Sequence, residues 1–310
     1  MEHSELADRE QSAREKLIQE MGEIPNSVGI FPGTGWRKGV EDIFEEDASV
    51  PYHVLRVPGV EQGGGEVNGH SKTIRKGRID GRPALVMGRV HANETRDPNG
   101  PLGTRVVMGA VKDVLDGVIV THGVGSLSGR IGREQGLIKS LVRTALIDAM
   151  GWAHRGRRMA ETNPGDLAVV ESIANRHFGT GTTLIGGEFV DPDNSGLRME
   201  EGRYIAIAQQ ALLEAQGKAP RVVYGYVAGP QFESLGDKLA FRSTGCEVIG
   251  MSGHEVSLAA LWNIPVAQVV LITNGAFAPH SHEGNQAVGE QSAQPTAKAL
   301  RHMVANWPRR

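Results

Sequence analysis

Three runs of this chain are apolar at nearly every position, and each breaks off abruptly into glycine and polar residues. SVGIF (27–31) stops at PGTGW, GVIVTH (117–122) at GVGSLSG, and VAQVVLITN (266–274) at GAF. A strand that is apolar at successive rather than alternate positions is buried on both faces, which is the pattern of a parallel sheet covered by helices on each side. Shorter runs of the same kind follow at 166–172, 221–227 and 247–252, and KTIRKGRIDGRPALVMGR sets Asp80-Gly81 between two strand-like halves, a hairpin signal. Helical spacing fills the intervals at 4–21, 134–150, 200–216, 255–262 and 286–305. PGVEQGGGEVNGH (58–70) is too glycine-rich for regular structure. Alternation of strand and helix predicts an α/β fold: one domain over 1–310, with a twisted, mainly parallel or mixed central sheet flanked by helices.

Composition narrows the function class. The 33 Lys and Arg against 36 Asp and Glu leave a charge of −3, without the concentrated basic face of a nucleic-acid binder. A single cysteine, Cys246, excludes an intrachain disulfide framework and a Cys-rich zinc site, and reads as a small buried hydrophobe before a strand. No apolar run approaches the roughly 20 residues of a membrane helix, and MEHSELADRE lacks the apolar core of a signal peptide. A cytoplasmic protein with neither nucleic acid nor membrane as partner is the expectation. The 41 glycines cluster at the ends of the apolar runs, where backbone approaches a ligand.

In open α/β sheets ligands sit at the carboxyl ends of strands, so PGTGW, GRVH, THGVGS, GPQFE, GMSGHE and ITNGAF carry the chemistry. They present the hydroxyls of Thr34 and Ser252, the Arg89 guanidinium, His91 and glycine-rich backbone, which together suit an oxyanion such as phosphate. Singly, each has a plainer reading: a turn hydroxyl for Thr34, a surface ion pair for Arg89, a strand-end histidine for His91. Neither a nucleoside-triphosphate loop nor a dinucleotide fingerprint is present, so the phosphate is expected to be free or small. His280 and His282 stand two apart in HSHE with no partner motif, and no metal is expected.

In this order GTG, GRVH, VTHGVGSL, AGPQFES, GCEVIGMS and LITN, spread over about 27–277, resemble the purine nucleoside phosphorylase and methylthioadenosine phosphorylase family. The resemblance implies transfer of a pentosyl group from a nucleoside to orthophosphate, releasing free base and pentose 1-phosphate, as in purine salvage. It implies no cofactor beyond orthophosphate as co-substrate, and a homotrimer (or a hexamer) in which a neighbour completes the sugar site. By it Thr34, Arg89, His91, Ser252 and the Gly123 backbone bind phosphate. Met251 lies under the ribose, Phe232 flanks the base, Glu233 accepts a proton-bearing edge of the base, and Asn274 hydrogen-bonds around N7 and the 6-substituent. His280 or His282 is the candidate near the sugar 5′-position. Asn274, Glu233 and His91 are the expected catalytic residues.

The sequence also departs from the family pattern. His122 stands where Asn or Thr is usual, and either contacts phosphate or is turned away. Asn93 replaces a residue often aromatic near the ribose. GMSGHEV is one residue shorter than the usual GMS/T-T-V-P-E-V, which leaves His254 and Glu255 without a role. Residues 129–162, including HRGRR, read as an insertion: a surface excursion, an oligomer contact, or a lid. The VTxxxGSL form leans toward methylthio-nucleosides, and Asn274 in place of Asp leans toward 6-oxopurines. A pyrimidine or specialised 5′-substituted nucleoside, a phosphate-independent nucleosidase and a non-catalytic nucleoside-binding protein are the alternatives; the complete phosphate set argues against the last two.

Overall fold

Five consecutive buried residues, Ser27–Phe31, form β1, the first of the expected strands. The computed structural model describes residues 3–60, 71–90, 102–128, 137–155, 159–175, 202–227, 233–278 and 281–310. β1 pairs in parallel with β4 (Arg82–Met87) on one side and with β5 (Leu115–Ser126) on the other. β4 closes a hairpin with β3 (Thr73–Ile79) through Asp80 and Gly81, whose φ values of 49° and 77° are those of the expected tight turn. The edge strand β2 (Glu45–Pro51) had no sequence signal: EEDASVP has no apolar alternation, and the strand is held by its antiparallel ladder to β3.

The second half of the sheet folds back on itself. β5 is twelve residues long, enough to pair with β1 along Leu115–Val120 and then with β8 (Val248–Gly250) at Gly125 and Ser126. β8 lies parallel to β7 (Arg221–Tyr226), and β7 to β6 (Leu167–Asn175). β6 is antiparallel to β9 (Val266–Gly275), which returns as the parallel neighbour of β5. The order is β2-β3-β4-β1-β5-β8-β7-β6-β9, and the β5–β9 pairing closes the last five strands into a ring. The sheet is mixed, as the α/β expectation allowed.

Helices cover this sheet. α1 (His3–Met21) buries Leu6, Ala13, Leu17 and Met21. It also buries Glu10, which pairs with Arg105 at 2.8 Å from α3 (Gly103–Val111) and with Lys112 at 3.2 Å. A short α2 (Arg37–Glu41) follows the first strand end. α4 (Leu137–Arg155) runs five residues beyond the expected end at 150; its expected start at 134 lies outside the described residues. α5 (Arg203–Gln216), α6 (Leu235–Ser243) and α7 (His254–Leu261) follow in turn. The expected single helix over 286–305 is two, α8 (His282–Gln291) and α9 (Ala293–Asn306). Pro295 has no N–H to give the Gln291 carbonyl, so the chain breaks at Ser292 and restarts with proline in a first turn, where it is tolerated. Cys246 is fully buried among Leu127, Phe241, Ile249 and Ala276. No helix among the described residues is long and apolar enough to cross a membrane.

Candidate active site

After β1 the chain turns through Gly33-Thr34-Gly35, and Trp36 staples this turn to the middle of β5. Its backbone N–H donates to the Gly33 carbonyl at 3.0 Å, and its buried indole N–H donates to the His122 carbonyl at 3.3 Å. A Cβ at Gly33 would stand 2.6 Å from both Arg89 Nη1 and the Thr121 oxygen, so only glycine lets the turn lie against that guanidinium. A Cβ at Gly123 would stand 3.0 Å from the Thr34 carbonyl, which makes Thr34 and Gly123 neighbours. A cleft of about 590 Å³ opens on the outer side of the turn, lined by Thr34 with Arg37, Lys38, Gln286 and Glu290 among others. Neither Arg89 nor Ser252 lines it, and its cations are taken by Glu41 and Asp42.

Arg89 is no surface ion pair; it is 3% exposed. It leaves the end of β4 behind Gly88, whose carbonyl accepts from Tyr52 Oη at 2.6 Å. Its Nε donates to Glu255 Oε1 at 2.7 Å, Nη1 to Ser252 Oγ, and Nη2 to the Thr121 carbonyl at 3.1 Å. Ser252 is fixed in turn, its N–H donating to Tyr224 Oη at 2.9 Å, and burial raises that phenol well above its ordinary range, so it stays neutral. Burial alone would raise the Glu255 carboxyl. That is the largest single influence, but the Arg89 guanidinium, His254, a backbone N–H and His122, in falling order, together outweigh it and bring the carboxyl down to about 2.

His122 is buried, and its Nε2 lies 3.0 Å from the amide nitrogen of Gln268, which also faces the Ser252 carbonyl at 3.5 Å. His254 Nε2 lies 2.9 Å from Thr104 Oγ1, which donates to the Val90 carbonyl at 3.2 Å, and burial lowers the imidazole pKa. Sequence reasoning missed Glu255, Gln268, Tyr224 and Trp36 as parts of this cluster. Gln268 carried a usable signal, a lone amide inside an otherwise apolar strand, because a buried polar group needs a partner.

The other end of the site is made by β9. Along the β5–β9 ladder Val124 faces Ile272 and Gly125 faces Asn274, so Thr273 is an extra residue, a bulge of the kind that re-aims a neighbouring side chain. Thr273 Oγ1 reaches Asn274 Oδ1 at 3.0 Å and the Val124 carbonyl at 3.2 Å, and Asn274 Nδ2 would lie 3.2 Å from a Cβ on Gly125. Gly123 and Gly125 share one face of β5, roughly 7 Å apart. A glycine floor, with no side chain of its own at these two positions and the Thr273 methyl beside it, therefore runs from Thr34 to Asn274. Met251 is half-buried beside Ser252. Glu233 is half-buried before Ser234, the N-cap of α6, where Ser234 and Asp237 form a capping box. His91, Asn93, Phe232 and His280, with the His282 side chain, lie outside the described residues.

This arrangement provides a buried guanidinium, two hydroxyls and backbone N–H groups at one end of a glycine floor, and a fixed carboxamide at the other. A family model described as the phosphorylase superfamily matches residues 28–305. The chain is 27% identical over 237 residues to S-methyl-5'-thioadenosine phosphorylase of Cereibacter sphaeroides, covering 75% of this chain and 79% of that protein. It is 23% identical to purine nucleoside phosphorylase of Mycobacterium leprae, covering 99% and 98%. Among solved structures, Schistosoma mansoni purine nucleoside phosphorylase in complex with inosine has the same fold, with a TM-score of 0.73 at 19% identity and 98% of each chain covered. Isoform 2 from the same organism, in complex with cytosine and ribose-1-phosphate, gives 0.72 at 21% identity, with 97% of each chain covered.

Proposed function

The chain belongs to the phosphorylase superfamily, and from that premise we propose that it is a pentosyltransferase cleaving a purine nucleoside with orthophosphate to free base and pentose 1-phosphate. The observation that carries the reading is Arg89: a fully buried cation with two N–H groups left over, set against the Gly33-Thr34 turn and Ser252. Phosphate is held there by Arg89, Thr34, Ser252, His91 and the Gly123 backbone. His122 acts through Gln268 and the Ser252 carbonyl. The nucleoside lies along the glycine floor, its ribose over Met251 and its base between Phe232, Glu233 and Asn274, with His280 or His282 toward the 5′-end.

In the reaction the bond from C1′ to the base nitrogen breaks, its electron pair leaves with the base, and a phosphate oxygen bonds to C1′. Negative charge grows on the base as cationic character grows on the sugar. Asn274, its amide already oriented by Thr273, stabilises the base anion by hydrogen bonding around N7, and the bound phosphate faces the sugar cation. Holding the two reactants along one strand removes an entropic barrier of several kcal/mol, on the order of what positioning contributes elsewhere. Orthophosphate is co-substrate and no other cofactor takes part. Asn274 favours a 6-oxopurine, and the likeness to S-methyl-5'-thioadenosine phosphorylase leaves a 5′-methylthio group open as a substituent.

The protein acts in the cytoplasm as one domain over 1–310, assembled as a homotrimer or hexamer. Exposed Leu141, Val142, Leu146, Met150 and Trp152 along α4 support assembly, since oligomers bury such surface. The test is product analysis on inosine, guanosine, adenosine, methylthioadenosine, methylthioinosine and uridine, with and without orthophosphate. Phosphate-dependent release of base with a sugar 1-phosphate is expected. Release without phosphate would make it a nucleosidase, and no release would return it to a binding protein.

A further inference from the structure

Glu255 and Arg89 form an ion pair with side chains 0% and 1% exposed. A buried pair of this kind adds little stability over apolar residues of the same size, so its presence asks for a geometric role. Only one carboxylate oxygen is engaged; Oε2, also buried, has no hydrogen-bond partner among the described residues. Arg89 is thus the principal partner of this charge, and the contact is made through Nε. Of the five guanidinium N–H groups, the protein takes one at Nε, one at Nη1 and one at Nη2. One remains on each terminal nitrogen, a pair able to fork onto an oxyanion.

The short GMSGHEV segment explains how the carboxylate arrives there. Glu255 lies in the first turn of α7, directly after His254, and the two side chains grip consecutive residues at the end of β4. Glu255 holds the Arg89 side chain, while His254, through Thr104, reaches the Val90 carbonyl. The Gly33 turn lies so close to Nη1 that there is no room for a Cβ between them.

We infer that Glu255 is a positioning residue for the phosphate co-substrate: its carboxylate sets the Arg89 guanidinium so that the remaining N–H pair meets the anion beside the Gly33-Thr34 turn. This rests on the phosphorolytic reading above. Length, not charge, is the property in use. Glu255→Asp keeps the charge but draws the carboxylate back by one methylene, taking the fork with it. Glu255→Gln keeps the reach and an oxygen acceptor for Nε, and removes a negative charge that only opposes anion binding.

The experiment is steady-state kinetics of the full-length protein with orthophosphate varied at saturating nucleoside, then the reverse, paired with calorimetry of orthophosphate binding alone. Glu255→Asp is expected to raise the phosphate KM about tenfold or more, with nucleoside KM and kcat within about threefold of wild type. Glu255→Gln is expected to show a phosphate KM no higher than wild type. A wild-type phosphate KM in the Asp variant, an equal rise in both KM values, or a raised phosphate KM in the Gln variant overturns the inference. If the Asp variant does not fold, the Gln variant decides by the same criterion. A wild-type protein that releases base without phosphate defeats the underlying reading instead, and is recognised before any variant is made.

Discussion

At the scale of single residues, Gly33 and Gly81 show two different reasons for glycine, and they predict different outcomes. Gly81 has φ of 77° and open space around it, so Gly81→Ala strains a turn and touches nothing. We expect a loss of about 1 kcal/mol in urea unfolding, with turnover unchanged. At Gly33 a methyl group collides with Arg89 Nη1 and the Thr121 carbonyl, both fixed by their own partners. Gly33→Ala is expected to cut kcat/KM for phosphate by about 100-fold or more, because reacting groups tolerate little displacement. Equal effects of the two substitutions on phosphate kinetics would show that Gly33 merely shapes a turn. Taken together, Thr34, Arg89 and Ser252 suited an oxyanion by their chemistry, while each alone had a plainer reading; that Arg89 is buried, and by whom it is held, was not readable from its neighbours in sequence.

At the scale of elements, α4 lies within the segment read as an insertion, and it is docked to the rest of the fold. Asp148 Oδ1 accepts from both Nε and Nη2 of Arg242 at 2.7 Å, and the Arg242 guanidinium lies 5.5 Å over the Phe277 ring, three residues beyond Asn274. Glu247 accepts the backbone N–H of Ala160 at 2.6 Å and of Val223 at 3.0 Å, fastening the far end of the same segment to β7. Arg242 is 2% exposed and Asp148 38%, so the pair is half-buried, and taking away the carboxylate weakens this contact more than loss of a fully exposed pair would. Asp148→Asn is therefore expected to speed amide hydrogen exchange in residues 137–155 at least about tenfold, while phosphate KM stays at the wild-type value. Exchange spread evenly over the chain would show that α4 is no separate unit. Legibility at this scale followed burial. β1 was read to the residue because every position is buried and nearly every one apolar, whereas β2 was missed because an exposed edge strand takes its shape from the partner ladder.

At the scale of the whole molecule, the buried polar cluster makes stability depend on pH with a definite sign. Glu255 titrates at about 2 in the folded chain against an ordinary value of 4.5, so its contribution is complete above 4.5 and is lost as the pH falls toward 2. That shift corresponds to about 3 kcal/mol. His254, held neutral by burial, acts in the same direction: below 6.5 the unfolded chain takes up a proton that the folded imidazole refuses. The melting temperature is expected to fall steadily on acidification from pH 6.5, and Glu255→Gln should flatten the slope between 4.5 and 2. An unchanged slope in that variant would mean that the pair does not couple folding to protonation. By itself the sequence determined the α/β class, where the apolar strands end and the types of group those ends present. Apolar runs and glycine breaks are local consequences of burial and turn sterics. Only the tertiary structure decided that the last five strands close into a ring, that the Thr273 bulge turns Asn274 toward Gly125, and that Glu255 meets Arg89 across 166 residues. Those are long-range contacts, and periodicity along the chain holds no record of which buried groups will satisfy one another.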